Sequence, residues 1–536
     1  MPDNNIDLLY PDGAKQNAKH LSWKTIECLE LTYIARMICP YNTDYALNVL
    51  SELITDESTI SFRQDILQDF INVPQLEHQL YKSLHTIYMN SVSVYAKSGS
   101  TQSFFELNAN IENIEAFTEC MEECHRFCIE HGSRLKSDGI KRVLGEIERR
   151  YTSDEYKEML TEIAELKSVM AEGFKSVTFA MNLDNLMRPS EVMLLSVDKD
   201  PIRKQTLFSR LLTKEKNAEP LTEIYYRKHK DGQINAVDET LFKELDALGG
   251  GYMQRFNTAI KLCYAASTEF LVKLAPQIDF YIGAKNLIER TQSLGLEMCR
   301  PTIYPTEERL FRCSDMYDPV FANKLVAAAS RDDITISVRA NDCHMDDEAR
   351  LLLITGTNNG GKTTFLRATA INQILAQSGL YVGASAAEIS PCSDIFVHFP
   401  EEKEVGINTS RFTEECRELR STIEACTEHS LVLMNESLSG TNPYDSLILG
   451  EELMRIFADI GCRLIYTTHI LDLTQCIDNI NAEAPKSRLG SLIAECDQQG
   501  RPTYRITAGK PDFSRNARYI FDKYGISFDE YRRIKS

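Results

Sequence analysis

The sequence predicts a multidomain protein in which a mostly α-helical region is followed by an α/β domain. The chain has 536 residues, which exceeds the usual size of one domain and favours two or three. Residues 1–175 place apolar side chains at helical spacing and contain few glycines. After residue 350, three short apolar runs each end in polar residues, as strands of a parallel sheet do. We place the boundary between the two regions at residue 330.

Composition limits the classes of partner that the whole surface can bind. The chain has 78 acidic and 59 basic residues, a net charge of −19, which argues against coating of nucleic acid or anionic membrane. Any contact with DNA is therefore expected to be local. Fifteen cysteines, no signal-like N-terminus and no apolar run long enough to cross a bilayer favour a cytoplasmic protein without a membrane partner.

One group of cysteines in the helical region could suggest a metal site. Cys120, Cys124 and Cys128, with His125 among them, recur every fourth residue and so share one helix face. This spacing is not that of a zinc knuckle, and cysteine is a common small core residue. We expect helix packing here and assign no metal.

A short β segment and a basic segment interrupt the helices. Ser176–Leu183 and Glu191–Val197 are strand-like runs separated by an Arg-Pro-Ser turn signal. Residues 201–230 carry eight Lys or Arg against three Glu, a local charge of +5. The segment is either a contact for DNA phosphates or a solvated surface insertion. The candidate DNA-binding residues are Arg203, Lys204, Arg227, Lys228 and Lys230.

The first apolar run after residue 350 leads into a phosphate-binding loop. Leu351–Ile354 is followed by Gly356–Thr363, which satisfies G-x-x-x-x-G-K-[ST], and then by a helix that Gly379 is placed to end. Glycines let backbone amides wrap phosphates, the lysine reaches the β- and γ-oxygens, and the threonine ligates Mg²⁺. The predicted cofactors are ATP and Mg²⁺. The predicted nucleotide-binding residues here are Gly356, Thr357, Asn358, Asn359, Gly360, Gly361, Lys362, Thr363 and Thr364.

The second strand candidate, Ser430–Met434, ends in Asn435-Glu436. A carboxylate at this end of a strand beside the phosphate loop faces the γ-phosphate, so Glu436 is the predicted catalytic group that polarises the attacking water. Asn435 stands where Asp is expected. It can accept a hydrogen bond from a magnesium-bound water but adds no negative charge, which predicts weaker Mg²⁺ dependence or slower turnover. A protein that binds nucleotide with little hydrolysis is the alternative.

The third strand candidate, Arg463–Thr467, ends in Thr468-His469. A lone histidine is often structural, but this position after an apolar strand favours a functional role. We therefore predict that His469 contacts the γ-phosphate as a second catalytic residue.

An amphipathic helix leads into the second strand, with Phe412, Cys416, Leu419, Ile423 and Cys426 on its apolar stripe. Together with the phosphate loop, this stretch resembles the MutS family of ABC-type ATPases. The resemblance rests on Ser-x-Phe-x-x-Glu (Ser410, Phe412, Glu415), Ser-Leu-Val-Leu-Met-Asn-Glu, Ser439–Asp445 and Thr-Thr-His, and it also covers Ala340-Asn341-Asp342.

The resemblance implies a fold and a mode of assembly. Residues 1–330 would form a helical core and lever with a reduced clamp-like insertion near 174–250. Residues 331–536 would form an ABC-type P-loop NTPase domain, in which Asn341 contacts nucleotide. Ser410 would act in trans at the site of a second protomer, and the tail from Asp512 would support a homodimer.

Departures from the family leave the biological role open. We expect no N-terminal mismatch-reading domain. The letters Phe104-Phe105-Glu106 match the family's wedge, but they lie in a helical context, where a three-letter match is mostly chance. The implied function is a DNA-binding ATPase that engages mismatched, branched or junction DNA. The alternative is an ATP-switched scaffold or regulatory protein that does not bind DNA.

Overall fold

The structure is a computed structural model that describes most of the chain. The residues described are 6–14, 18–82, 87, 103–172, 176–183, 185, 189–198, 200, 268–328, 338–356, 360–399, 411–438, 440, 442–483, 485–497, 501–510 and 528–535. Two compact units divide the chain. The first comprises Met1–Glu77, Arg134–Lys141 and Pro276–Ser536, and the second comprises His78–Ser133 and Arg142–Ala275. The predicted division falls at residue 330, whereas the first unit contains residues 1–77 together with the C-terminal region.

The N-terminal part of the first unit is helical, as its periodicity predicts. Two-residue strands, β1 (Lys19–His20) and β2 (Glu52–Leu53), pair antiparallel within it. Side-chain caps define helix starts: Asp56 Oδ2 accepts from the Thr59 amide over 2.8 Å, which satisfies a donor that the first turn leaves unpaired. The helices are Trp23–Cys28, Leu31–Ile38, Thr43–Ser51, Glu57–Asn72 and 74–82.

The second unit contains long helices and one hairpin. The predicted β runs are confirmed as antiparallel strands β3 (Ser176–Leu183) and β4 (Pro189–Asp198). Cys120 and Cys124 are buried on their helix, consistent with packing. The helices of this region are Ser103–His131, Asp138–Thr152, Asp154–Glu172 and 268–292. Residues 138–141 and 276–292 of these helices belong to the first unit.

Two sheets lie in the C-terminal part of the first unit. A four-stranded sheet has the order β5-β9-β6-β7, and a six-stranded sheet has the order β10-β11-β12-β8-β13-β14. Neighbours in the larger sheet are parallel except β13 and β14. The strands are β5 (Thr302–Ile303), β6 (Phe311–Met316), β7 (Asn341–Met345), β8 (Leu351–Gly356), β9 (Ala386–Ile389), β10 (Asp394–His398), β11 (Ser430–Asn435), β12 (Arg463–Thr467), β13 (Leu489–Cys496) and β14 (Pro502–Ala508).

The three predicted strands are confirmed and are neighbours in the larger sheet. β11, β12 and β8 run parallel, with Asn435 opposite Thr467 and Thr467 opposite Ile354. Because the strands are parallel and in register, their carboxyl ends lie at one edge. The helices of this part are Pro319–Ala328, Lys362–Gln377, Arg411–Ala425, Pro443–Ile460, Leu473–Ala482 and Phe528–Lys535.

The helix Lys362–Gln377 joins the sheet to the N-terminal residues. Most of its side chains are buried, and it is followed by Gly379 at φ 78°, the left-handed residue predicted to end it. Gln377 Nε2 donates to the carbonyl oxygens of Ile54 and Cys392, each over 2.9 Å. Arg367 donates to the carbonyl of Cys28 over 3.1 Å. The helix is therefore fixed from both sides.

The amphipathic helix before β11 is confirmed as Arg411–Ala425, with one correction to its apolar stripe. Leu419 is buried and packs in the core with Phe412 and Ile423, but Cys416 is exposed. The neighbouring Glu415 is half-buried and accepts from a backbone amide of the loop after β11. Across the described parts of the chain, no helix is long and apolar enough to cross a bilayer.

Candidate active site

Glycine geometry shapes the loop between β8 and the helix Lys362–Gln377. Gly356 has φ 134° and Gly361 has φ 92°, a region that side chains with a β-carbon rarely adopt. A Cβ at Gly356 would lie 2.8 Å from the Ala494 carbonyl oxygen and 2.9 Å from the Ala494 Cβ. Only glycine fits this contact with β13, and the loop can therefore leave the strand close to the sheet.

The Lys362 side chain reaches back to the end of β8. Its Nζ donates to the Gly356 carbonyl over 2.8 Å, and the residue is 4 % exposed. Burial lowers the pKa of the Lys362 ammonium, while the Glu436 carboxylate opposes that shift. A phosphate group at this site would therefore meet the Lys362 ammonium with little water around it. The ammonium could then release the Gly356 carbonyl and donate to a phosphate oxygen.

Asn435 connects two threonine hydroxyls. Thr363 Oγ1 donates to Asn435 Oδ1 over 3.0 Å, and Thr467 Oγ1 donates to the same oxygen over 2.8 Å. An amide oxygen has two lone pairs, so both are occupied in this arrangement. The predicted bond from a magnesium-bound water to Asn435 requires one of these hydroxyls to turn away.

The donor set around Thr363 fits Mg²⁺. The Thr363 proton is directed at Asn435, which leaves hydroxyl lone pairs for a cation. Mg²⁺ prefers oxygen ligands and keeps several waters, and the Ser or Thr hydroxyl at the end of a phosphate loop is one of its usual protein ligands. Thr363 is the protein ligand that this geometry supports, with Asn435 as the group that orients it.

Glu436 and His469 form a hydrogen-bonded pair. His469 Nε2 lies 2.8 Å from Glu436 Oε1, and the side chains are 41 % and 33 % exposed. Glu436 has φ 51°, a conformation that costs about 1–3 kcal/mol for a residue with a β-carbon and is concentrated at functional sites. The pair presents an accessible carboxylate whose orientation is fixed by an imidazole, which is an arrangement suited to accepting a proton from water.

Asn341 is directed at a strand. Its Nδ2 donates to the Tyr504 carbonyl over 3.0 Å, and its Oδ1 accepts from the Ile506 amide over 2.7 Å. Tyr504 has φ 60°, and its ring lies 3.7 Å from the position of a Cβ on Gly361. Asn341 therefore holds the strand segment that contacts the phosphate loop, and its predicted contact with nucleotide remains a prediction.

For three residues that contribute to this site, the sequence did not predict the contact that the structure shows. Thr467 ends β12 opposite Asn435, so correct strand register would have identified it. Glu415 was part of the Ser-x-Phe-x-x-Glu motif, yet the motif did not indicate that its carboxylate binds the Leu438 amide. No sequence signal marked Tyr504, because a left-handed tyrosine has no characteristic local pattern.

The structure brings together part of the predicted set. Gly356, Gly360, Gly361, Lys362, Thr363 and Thr364 lie in or beside the phosphate loop, and Asn435, Glu436 and His469 follow the neighbouring strands. Apart from Asn341, whose contacts are given above, the remaining predicted residues lie outside the described residues. They are Thr357, Asn358, Asn359, Ser410, Arg203, Lys204, Arg227, Lys228 and Lys230.

Two family models match this chain, one in its N-terminal part and one in its C-terminal part. The model of MutS domain V matches residues 352–512, which contain the site. The model of the MutS2 N-terminal domain matches residues 55–294.

A curated relative is similar over a long stretch. The DNA mismatch repair protein MutS of Macrococcus caseolyticus (strain JCSC5402) is 28% identical over 382 residues, which cover 66% of this chain and 40% of that protein. The chain therefore spans less than half the length of this relative. Two matched family models and this relative, taken with the phosphate loop and the motifs around it, establish that the chain belongs to the MutS family.

Proposed function

We propose that this chain is an ATPase of the ABC type that hydrolyses ATP with Mg²⁺ and couples the reaction to DNA engagement as a homodimer. The observation that carries the proposal is the Glu436–His469 pair, 2.8 Å apart, beside the loop that holds Lys362. The pair provides a proton acceptor and the loop provides a phosphate site at the same edge of the sheet.

Each residue of the site has a separate role in the proposed hydrolysis. Loop amides and Lys362 bind the phosphates, because both present hydrogen-bond donors to negative charge. Thr363 would hold Mg²⁺, which would offset charge on the phosphate oxygens. Glu436 accepts a proton from the attacking water, and His469 keeps the carboxylate directed toward it.

Dimerisation would complete each site. By analogy with the family, Ser410 of one protomer would contact the nucleotide of the other, so that ATP closes the dimer and hydrolysis reopens it. Ser410 directly precedes the helix Arg411–Ala425, whose N-terminus favours anionic groups. The predicted lever in residues 1–330 would carry this closure to a DNA-binding surface.

DNA contact is proposed for the basic residues of the segment 201–230. Within this proposal the ligand is branched or junction DNA, because the basic segment would contact DNA phosphates, which carry no base sequence. An ATP-switched scaffold that binds no DNA is the second candidate, and the net charge of −19 favours it.

A DNA-binding series separates these candidates. Anisotropy of labelled duplex, mismatched and four-way junction DNA would be measured across a salt titration, with and without ATP and Mg²⁺. Binding should be strongest to the junction, change with ATP and weaken with salt. Replacing the five candidate basic residues with alanine should reduce the salt slope by about one for each lost phosphate contact. ATP-dependent dimer closure without DNA binding would support the scaffold.

A further inference from the structure

The loop after β11 adopts an unfavourable backbone conformation that must be held in place. Glu436 has φ 51° and Leu438 has φ 67°, so two residues with β-carbons are left-handed within three positions. Such conformations persist where surrounding contacts determine them. The contacts of residues 436–438 therefore hold the backbone from which the Glu436 side chain extends toward His469.

Three of these contacts come from the adjacent strand and the next helix. The Glu436 amide donates to the Thr467 carbonyl over 2.8 Å. The Tyr466 hydroxyl donates to the Ser437 carbonyl, and the Ser446 hydroxyl donates to the Leu438 carbonyl, each over 2.8 Å. These partners are buried and form part of the framework of the site.

A fourth contact comes from a different element. The Leu438 amide donates to Glu415 Oε1 over 2.8 Å. Glu415 lies on the helix Arg411–Ala425, which begins directly after Ser410. A carboxylate that accepts from a backbone amide makes a stronger bond than a neutral acceptor, so this helix has a firm connection to the loop that carries Glu436.

The later part of the same helix is anchored elsewhere. Glu418 pairs with Lys24 over 2.7 Å, and the Thr422 hydroxyl lies 2.7 Å from His398 Nε2. These contacts join it to the N-terminal helix Trp23–Cys28 and to β10. A small rotation of the helix about Glu418 and Thr422 would displace its first two turns, where Glu415 lies.

We propose that Glu415 is a positioning residue that couples the helix Arg411–Ala425 to Glu436. The Glu415 carboxylate holds the left-handed turn at Leu438. Movement of the helix Arg411–Ala425 would therefore change the orientation of the Glu436 carboxylate. This inference rests on the proposed function, in which Ser410 contacts the nucleotide of the partner copy. Nucleotide bound at the partner copy's site would then regulate, through Glu415, hydrolysis at the site of the copy that contains this Glu415.

Three substitutions in the full-length protein test the role. Glu415→Ala removes the acceptor, Glu415→Gln keeps an oxygen that can accept from Leu438, and Glu414→Ala removes an exposed carboxylate from the neighbouring position. The measurements are kcat and KM for ATP, the Kd of a fluorescent ATP analogue, and amide hydrogen exchange in peptides that cover residues 430–440.

The expected result is a separation of turnover from binding. Glu415→Ala should lower kcat by about tenfold or more, change the Kd by less than about threefold, and speed exchange at Leu438. Glu415→Gln should stay within about threefold of wild type in kcat, as should Glu414→Ala.

Other outcomes would overturn the inference in distinguishable ways. If wild type hydrolyses ATP and Glu415→Ala matches it in kcat, the role of Glu415 is refuted while the proposed function stands. Equal loss in Glu415→Gln and Glu415→Ala, or a parallel loss of nucleotide binding, would contradict positioning through the Leu438 amide. A wild-type protein without ATP hydrolysis would refute the proposed function itself.

Discussion

The Thr363 hydroxyl donates to Asn435 Oδ1 over 3.0 Å, which ties the first turn of the phosphate-loop helix directly to the end of β11. Thr467 donates to the same oxygen from β12. The amide at position 435 is therefore an acceptor for two hydroxyls, and its neutrality limits the negative charge near the metal ligand.

Substitution Asn435→Asp should strengthen Mg²⁺ binding and raise turnover. A carboxylate can accept from both threonines and still bond a magnesium-bound water, and its charge attracts the cation. The Mg²⁺ concentration that supports half-maximal ATP hydrolysis should fall about tenfold. Asn48→Asp adds the same charge on an exposed helix position and should leave the Mg²⁺ titration unchanged. No gain with Asn435→Asp would reject the idea that Asn435 limits activity.

Substitution Gly356→Ala should disable the phosphate loop. The added Cβ would lie within 3.0 Å of Ala494 at a φ of 134°, so the loop must move or strain β13. We expect a loss of stability of about 2 kcal/mol or more and loss of nucleotide binding, measured by urea unfolding and by fluorescence titration with an ATP analogue.

A second glycine provides the control. Gly145 lies in the helix Asp138–Thr152 and has no atom within 4 Å of its Cβ position. Gly145→Ala should stabilise that helix by about 0.5–1 kcal/mol and leave nucleotide binding intact. Normal binding by Gly356→Ala would show that the close contact with Ala494 does not shape the site.

His398 should make stability depend on pH. Burial, with Lys24 adding to it and Glu418 opposing it, lowers the pKa of His398 to about 4. Since the unfolded pKa is near 6.5, unfolding takes up a proton between these values. The stabilisation is complete above pH 6.5 and is lost as pH falls toward 4, by about 3 kcal/mol at most.

The test compares unfolding at several pH values for wild type, His398→Gln and the exposed-site control His344→Gln. The first substitution should flatten the decline in unfolding midpoint between pH 6.5 and 4.5, and the control should not. Parallel declines in wild type and His398→Gln would show that His398 is not the titrating group.

Sequence alone predicted the three strands that carry the candidate site, because an apolar run that ends in polar residues is a local signal. The apolar runs that lead into Gly356, Glu436 and His469 could be placed with their ends at one edge once the strands were taken as parallel. The phosphate loop also has a strict pattern of glycines. These predictions depend on short stretches of chain, and the structure has the three strands where they were expected.

Long-range packing could not be predicted in the same way. The bond from Gln377 to the Ile54 carbonyl spans 323 residues, and no periodicity in either segment identifies its partner. The left-handed Glu436 and Leu438 carry no glycine to mark them. Cys416 fits the apolar stripe by spacing, yet it is exposed, and it is the adjacent Glu415 that contacts the loop after β11.

The most direct test of the account is steady-state ATP hydrolysis by Glu436→Gln, with ATP-analogue binding measured in parallel and Glu452→Gln as an exposed control on the next helix. Glutamine keeps the size of the side chain but cannot accept the proton. The account predicts that hydrolysis falls about 100-fold or more while nucleotide binding stays near wild type. Turnover equal to that of wild type would contradict the assignment of Glu436 as the proton acceptor.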